Sequence, residues 1–213
     1  MGLAGERSGE GLGGVVAPFA LARDPAVTGT GAHGQAVQME QWTESKRVFE
    51  GRIFNVRAGQ ARLADGVLAP REVVEHPGGV GIVPVLDGRV ALIRQYRIAV
   101  GDTVLEIPAG KLEPGEEPVE RARQELLEET GFRAGRLVPA GSIYASAGYT
   151  SERIYLFLAF DLEHVGQALE FDERIAPAEL ALEDLARMLR EHAIEDAKTV
   201  VALERLFDYL EGQ

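Results

Sequence analysis

Residues 110–132 read GKLEPGEEPVERARQELLEETGF, a stretch in which a loop is followed by a helix-forming segment. Pro114 and Gly115 are typical of a loop. Residues 117–130 are rich in helix formers and stop at Gly131, the residue type that often follows the last turn of a helix. The sequence therefore predicts a helix over 117–130, with glutamates both along it and immediately before it.

At about 100° per residue, the predicted helix has an apolar side and an acidic side. The apolar side comprises Val119, Ala122, Leu126 and Leu127, and the neighbouring sector comprises Arg121, Glu125, Glu128 and Glu129. A solvated charged face is the ordinary explanation of such a sector. However, the acids lack lysines at the i, i+4 spacing that would relieve their repulsion. Clustered carboxylates with nearby loop glutamates are instead typical of Mg²⁺ sites.

The same residues resemble the Nudix box, in which a glycine, a glutamate and the segment R-E-U-x-E-E-x-G-U occur at fixed spacing. Gly110, Glu116 and residues 124–132 occupy these positions, and every defined position matches except Gln124, where the box has arginine. The resemblance implies an α/β fold, a Nudix-type α/β/α sandwich with a mixed β-sheet. It also implies a pyrophosphohydrolase that depends on Mg²⁺, with Mn²⁺ as a possible substitute.

The resemblance further implies roles for individual residues. Glu125 and Glu129 are expected to bind the divalent metal and Glu128 to assist, with the carbonyl of Ala109 as a further ligand and Glu116 as a supporting carboxylate. These residues are therefore the candidate metal site, and the three helix glutamates are also candidate catalytic residues.

Gln124 departs from the family pattern. In the family the box arginine braces a neighbouring glutamate, so Gln124 keeps a hydrogen bond but loses the charge-assisted one. Arg121, four residues before Glu125, either takes over this task or forms an ordinary surface ion pair. The departure predicts slower catalysis, and it leaves open a Nudix-fold sensor that binds ADP-ribose or another nucleotide without efficient turnover.

Segments outside the box resemble the ADP-ribose pyrophosphatase branch of the family. They are residues 71–78 (REVVEHPG), 94–97 (RQYR) and 106–111 (EIPAGK). This resemblance implies hydrolysis of ADP-ribose to AMP and ribose 5-phosphate, with Arg71, Glu72 and Arg97 around the adenine and phosphates. Lys111 is a second candidate for contacting a phosphate.

Residues 146–152 (SAGYTSE) resemble a loop that typically reads S-P-G-x-T-x-E in this branch. Ala147 stands where proline usually marks ADP-ribose specificity, so other nucleoside diphosphate sugars and dinucleotides remain open as substrates. Tyr149 either stacks on a base or ribose or is a packed loop tyrosine. Glu152 is a further candidate for substrate binding.

An acidic segment at residues 170–173 contains candidates for the general base. The family often draws this base from a loop after the last long strand, and Glu170, Asp172 and Glu173 lie in the matching region. Each is also explained as a solvated loop acid. The sequence does not choose among them.

Strand-like and helix-like segments surround the box. Runs rich in Val, Ile and aromatic residues predict strands at 46–49, 53–63, 71–75, 81–86, 90–96, 104–107, 136–144 and 154–162. Asp87-Gly88 predicts a hairpin turn, and apolar periodicity predicts two helices, near 182–189 and 200–210. Strands and helices in this order indicate an α/β sandwich.

We divide the chain into a flexible tail (1–40), an N-terminal antiparallel strand region (41–76) and a catalytic domain (77–213). Family members commonly form homodimers through strands such as those of residues 46–75, so the resemblance implies a homodimer here.

The composition bounds the possible partners. The chain has 213 residues, a formal net charge of −12 and no cysteine, so any metal must bind oxygen or histidine. The excess of acidic residues argues against a nucleic-acid partner. The apolar runs are too short to span a membrane. Without a signal-peptide pattern, we expect a cytoplasmic enzyme. A small anionic nucleoside diphosphate remains compatible, because bound cations would dominate the local charge.

Overall fold

The computed structural model describes residues 39–167 and 174–213. In chain order the elements are β1 (Gln41–Glu50), β2 (Asn55–Arg62), β3 (Leu68–Glu75), β4 (Gly79–Leu86), β5 (Arg89–Arg97), β6 (Asp102–Glu106), β7 (Ala109–Lys111), α1 (Pro118–Thr130), β8 (Phe132–Tyr144), β9 (Arg153–His164), β10 (Ile175–Ala181), α2 (Leu182–Arg190) and α3 (Ala197–Glu211). Apart from Met39 and Glu40, the tail predicted over 1–40 lies outside the described residues. So does the acidic loop with Glu170, Asp172 and Glu173.

The strands form two sheets. The first is antiparallel, in the order β1-β2-β3, and corresponds to the predicted N-terminal strand region. The second has the order β10-β5-β4-β9-β8, with β6 paired to β5 and β7 paired to β4. Because β4 and β9 run parallel while the other pairs are antiparallel, the sheet is mixed, as predicted.

Helices cover both faces of the mixed sheet. Side chains alternate between the faces of a strand, and β4 shows this clearly. Ile82 packs in a cluster with Leu126 of α1, whereas Val83 packs in a second cluster with Leu185 of α2 and Leu203 of α3. The predicted α/β/α sandwich is confirmed.

Local signals explain where α1 begins and ends. Pro118 occupies a first-turn position, where its missing N–H is not needed. Gly131 follows the helix with a left-handed backbone (φ 75°), and its N–H donates to the carbonyl of Leu127. The predicted helix and its C-terminal glycine are therefore confirmed.

Two strands were not predicted. Strand β7 is three residues long, too short for a periodic pattern, and its Gly110 approaches β4 so closely that a Cβ on Gly79 would lie 2.8 Å from the Gly110 carbonyl oxygen. Strand β10 contains Pro177 and lies at the edge of the sheet beside β5, where proline is tolerated. Pairing with other strands, rather than local sequence, forms both.

Within residues 39–167 and 174–213, no helix is long and apolar enough to cross a membrane.

Candidate active site

Two glutamates of α1 are buried against strand β7. Glu125 is 3% exposed and Glu129 is 2% exposed, although glutamate is rarely buried without a partner. The solvated-face explanation is therefore wrong for these two residues. The predicted apolar side is also incomplete, because Val119 is exposed.

Strand β7 supplies the contacts that hold this pair. The backbone N–H of Ala109 donates to Oε2 of Glu129 at 2.8 Å. Gly110 lies so close to Glu125 that a Cβ there would be 1.5 Å from Oε1 of the carboxylate. A side chain at position 110 would therefore displace the Glu125 carboxylate from its place beside β7.

The residues around the box-arginine position form two pairs one helical turn apart. Gln124 donates through Nε2 to Oε1 of Glu128 at 2.9 Å, so it makes the hydrogen bond expected of it, although with an uncharged donor. Arg121 forms an ion pair with Oε1 of Glu125. The Arg121 side chain is only 16% exposed, so the alternative of an ordinary surface ion pair is wrong.

Sequence reasoning missed a buried ion-pair network beside the site. Glu106, 2% exposed, accepts hydrogen bonds from Nε and Nη2 of Arg97 at 2.7 and 2.8 Å, and it also pairs with Lys198 of α3. Lys198 lies 92 residues from Glu106 in the sequence, so no local pattern connects them.

The same network fixes the start of α3. Asp196 accepts the N–H of Thr199 at 2.9 Å and an ammonium N–H of Lys198 at 3.0 Å. The hydroxyl of Thr199 accepts the backbone N–H of Ile107 at 2.8 Å. Helix α3 is therefore tied to the segment that leads into β7.

Interactions within the network favour the ionised forms of Glu106 and Arg97. Burial alone would raise the pKa of Glu106, but the hydrogen bond from Arg97 and the charge and hydrogen bond of Lys198 together lower it below its usual value. The hydrogen bond to Glu106 raises the pKa of Arg97, with smaller contributions from the charges of Glu129 and Asp196. Arg97 thus lies in the field of the Glu129 carboxylate of α1.

Comparison with known proteins now decides the family. Residues 75–203 match the family described as NUDIX domain. The chain belongs to the Nudix hydrolases. It is a pyrophosphohydrolase of that family, whose members generally use divalent metal ions.

Two curated relatives cover most of this Nudix chain. The ADP-ribose pyrophosphatase of Bacillus subtilis (strain 168) is 35% identical over 170 residues, and the methanol dehydrogenase activator of Bacillus methanolicus is 34% identical over 170 residues. Each alignment covers 78% of this chain and 92% of the relative. A crystal structure described as an ADP compounds hydrolase matches with a TM-score of 0.75 and 26% identity, over 84% of this chain and 98% of the other.

The Nudix helix α1 presents two buried carboxylates, Glu125 and Glu129, rather than a complete metal cage. Among the described residues, no three His, Asp or Glu side chains converge as a ready metal site. Mg²⁺ usually takes one or two protein carboxylates and completes its shell with water and substrate phosphates. The oxygen-only donor set of these two carboxylates therefore fits a hard divalent cation.

Two other residues predicted for the Nudix site, Glu116 and Lys111, contact Glu113, which is close to both in the sequence. Oε2 of Glu116 accepts the backbone N–H of Glu113 at 2.9 Å. Lys111 pairs with the Glu113 side chain at 2.6 Å. The structure thus brings Glu125, Glu129 and Ala109 together, whereas Glu116 lies in the loop before α1 and Lys111 ends β7, each in contact with Glu113.

The loop resembling the substrate marker is joined to β3. The N–H of Val74 donates to the carbonyl of Tyr149 at 2.8 Å, and the N–H of Ser151 donates to the carbonyl of Val74 at 3.0 Å. Tyr149 is 59% exposed, so it is not a packed loop tyrosine. On β3 itself, Glu72 is exposed and Arg71 is partly buried.

Glu152 lies at the end of this loop, with Oε1 3.8 Å from Nδ1 of His76. That nitrogen also accepts the backbone N–H of Gly78 at 3.0 Å. His76 therefore contacts both Glu152 and the backbone that leads into β4.

Proposed function

We propose that this Nudix enzyme hydrolyses the diphosphate bond of ADP-ribose, or of a related nucleoside diphosphate sugar, with Mg²⁺ as the metal and Mn²⁺ as a substitute. From ADP-ribose the products are AMP and ribose 5-phosphate. The observation that carries the proposal is the pair of buried carboxylates, Glu125 and Glu129, held against β7. The similarity to the B. subtilis ADP-ribose pyrophosphatase and to the structure of an ADP compounds hydrolase supports an ADP-containing substrate.

Glu125 and Glu129 hold the cation in this proposal, with the Ala109 carbonyl as a further ligand and Glu128 and Glu116 as supporting carboxylates. A bound divalent cation polarises a phosphoryl oxygen and lowers the pKa of bound water. The general base comes from Glu173 or Glu170.

The substrate side of the proposal uses the residues of β3, β5 and the marker loop. Arg97, oriented by its two hydrogen bonds to Glu106, supplies positive charge for the phosphates. Tyr149 stacks on the base or ribose from its exposed position. Arg71, Glu72 and Glu152 provide polar contacts to the nucleotide.

Residues 41–76 form a dimerising region in this proposal, and residues 77–213 form the catalytic domain. Strand β1 lies at a sheet edge and is exposed along nearly its whole length, including Trp42, Val48 and Phe49. Exposed apolar edge strands usually pair or become covered, so a homodimer is expected, acting in the cytoplasm on a small-molecule substrate. Light scattering should give twice the mass of one chain, and a monomer at micromolar concentration would contradict this.

A substrate screen tests the proposed activity. The chain is incubated with ADP-ribose, other nucleoside diphosphate sugars, NADH and dinucleoside polyphosphates, and phosphate is measured after phosphatase treatment. We expect ADP-ribose to give the highest kcat/KM, chromatography to identify AMP, and EDTA to abolish the reaction. Turnover of none of these compounds would contradict the proposal. Binding of ADP-ribose without turnover would instead support the sensor alternative that Gln124 left open.

A further inference from the structure

Arg121, rather than the residue at the box-arginine position, pairs with Glu125. Gln124 stands at the box position, and its amide reaches Glu128. The guanidinium on Glu125 comes instead from Arg121, one turn earlier in α1. The other nearby arginine, Arg123, is exposed and donates to the Ala134 carbonyl of β8.

Helix stability does not explain Arg121. It ends the first turn of α1, close to Pro118, and a cation near a helix N-terminus is disfavoured by the helix dipole. An i, i+4 pair is also weaker when the cation precedes the glutamate. Moreover, Nε of Arg121 is buried without a hydrogen-bond partner, which costs stability. Residues that break local rules in this way are expected at functional sites.

The contacts of one oxygen atom indicate the function. Oε1 of Glu125 lies against Gly110 of β7, where a Cβ would come within 1.5 Å of it, and the same oxygen receives Arg121. Two neighbours from different elements thus hold one side of the carboxylate. We propose that Arg121 is a positioning residue that fixes Glu125 for divalent-cation binding, in place of the box arginine. This inference rests on the proposed function, because that function assigns the cation to Glu125.

The decisive experiment restores the arginine at the other position. Arg121→Met removes the charge while keeping an unbranched side chain, and the double variant Arg121→Met/Gln124→Arg returns arginine to the box position. Mn²⁺ affinity is measured by electron paramagnetic resonance on the full chain without substrate, and kcat is measured with ADP-ribose. Arg123→Ala is the matched control, because Arg123 lies outside the site.

Substitution of a residue that orients a metal ligand typically lowers metal affinity or activity by about 10- to 100-fold. We expect Arg121→Met to weaken Mn²⁺ binding and lower kcat within that range, the double variant to recover most of both, and Arg123→Ala to match the wild type. If Arg121→Met does not fold, Arg121→Gln replaces it, because its amide remains polar.

Unchanged Mn²⁺ affinity in a folded Arg121 variant would overturn the inference. Tighter binding would also overturn it, because that is what loss of simple charge repulsion would give. A folded double variant no better than Arg121→Met would have the same consequence. The metal measurement does not need turnover, so a wild type that binds Mn²⁺ but hydrolyses no nucleotide would refute the proposed activity alone.

Discussion

Two buried glutamates, Glu106 and Glu125, differ in which structural elements supply the basic side chains that pair with them. Glu106 is paired with Arg97 of β5 and Lys198 of α3, so its charge joins three elements. Glu125 is paired with Arg121 of its own helix and faces β7. Ion pairs between elements hold the fold together, whereas a pair within one helix orients a single carboxylate. Substitutions should therefore separate stability from catalysis.

The largest effect is expected from Glu129→Gln, on the α1 side of the comparison. The amide oxygen can still accept the N–H of Ala109, so the fold is retained, but a charged metal ligand is lost. Metal assistance contributes several kcal/mol, so kcat should fall by roughly a thousandfold, with little change in Tm. Steady-state kinetics and thermal unfolding check this. Near-normal turnover would remove Glu129 from the metal site.

Glu106→Gln, unlike Glu129→Gln, should lower the stability of the fold. It leaves Arg97 and Lys198 with a neutral partner in a buried position, and breaking a buried pair typically costs about 3 kcal/mol. Urea denaturation should show that loss. Glu113→Gln, which removes an exposed partner of Lys111, is the control and should leave unfolding unchanged. Equal stability of the two variants would contradict a structural role for Glu106.

Gly110→Ala tests whether catalysis depends on the exact position of the Glu125 carboxylate. The added Cβ would overlap Oε1 of Glu125, so the carboxylate must move. Because a displacement of about 1 Å can cost up to roughly a hundredfold in rate, kcat should fall by about ten- to a hundredfold. The corresponding change at an open position, Gly148→Ala, meets no neighbouring atom and is the steric control for folding. An unaffected kcat in Gly110→Ala would show that Glu125 tolerates displacement.

The smallest effect concerns pH. The folded pKa of Glu106 is lowered, relative to about 4.3 in the unfolded chain. Its contribution to stability is therefore fully present above the unfolded pKa and is lost as the pH falls through the folded pKa. The stability difference between wild type and Glu106→Gln should narrow as the pH drops below about 4.3. Urea titrations from neutral to acidic pH measure it, and a constant difference would contradict the assignment.

The sequence predicted those parts of the fold that local patterns encode. Helix α1 follows from its content of helix formers, from its periodicity and from Gly131 after its end. The main strands follow from their apolar content. Strand β7 could not be predicted, because three residues form a strand there only by pairing with β4.

The candidate site, like the fold, could be predicted only in part from the sequence. Spacing alone placed Glu125 and Glu129 on one sector of α1. It did not reveal that Glu106 holds Arg97, because the network needs Lys198 from a helix distant in sequence. Nor did it decide between the two explanations of Arg121, since burial of that ion pair depends on how α1 packs against the sheet.

The central claim is that Glu125 and Glu129 hold a divalent cation beside β7. Anomalous diffraction from crystals of the full chain soaked in Mn²⁺ tests it most directly. The account predicts a peak in contact with both carboxylates and close to the Ala109 carbonyl. A Mn²⁺ peak bound elsewhere, or none beside these two side chains, would contradict it.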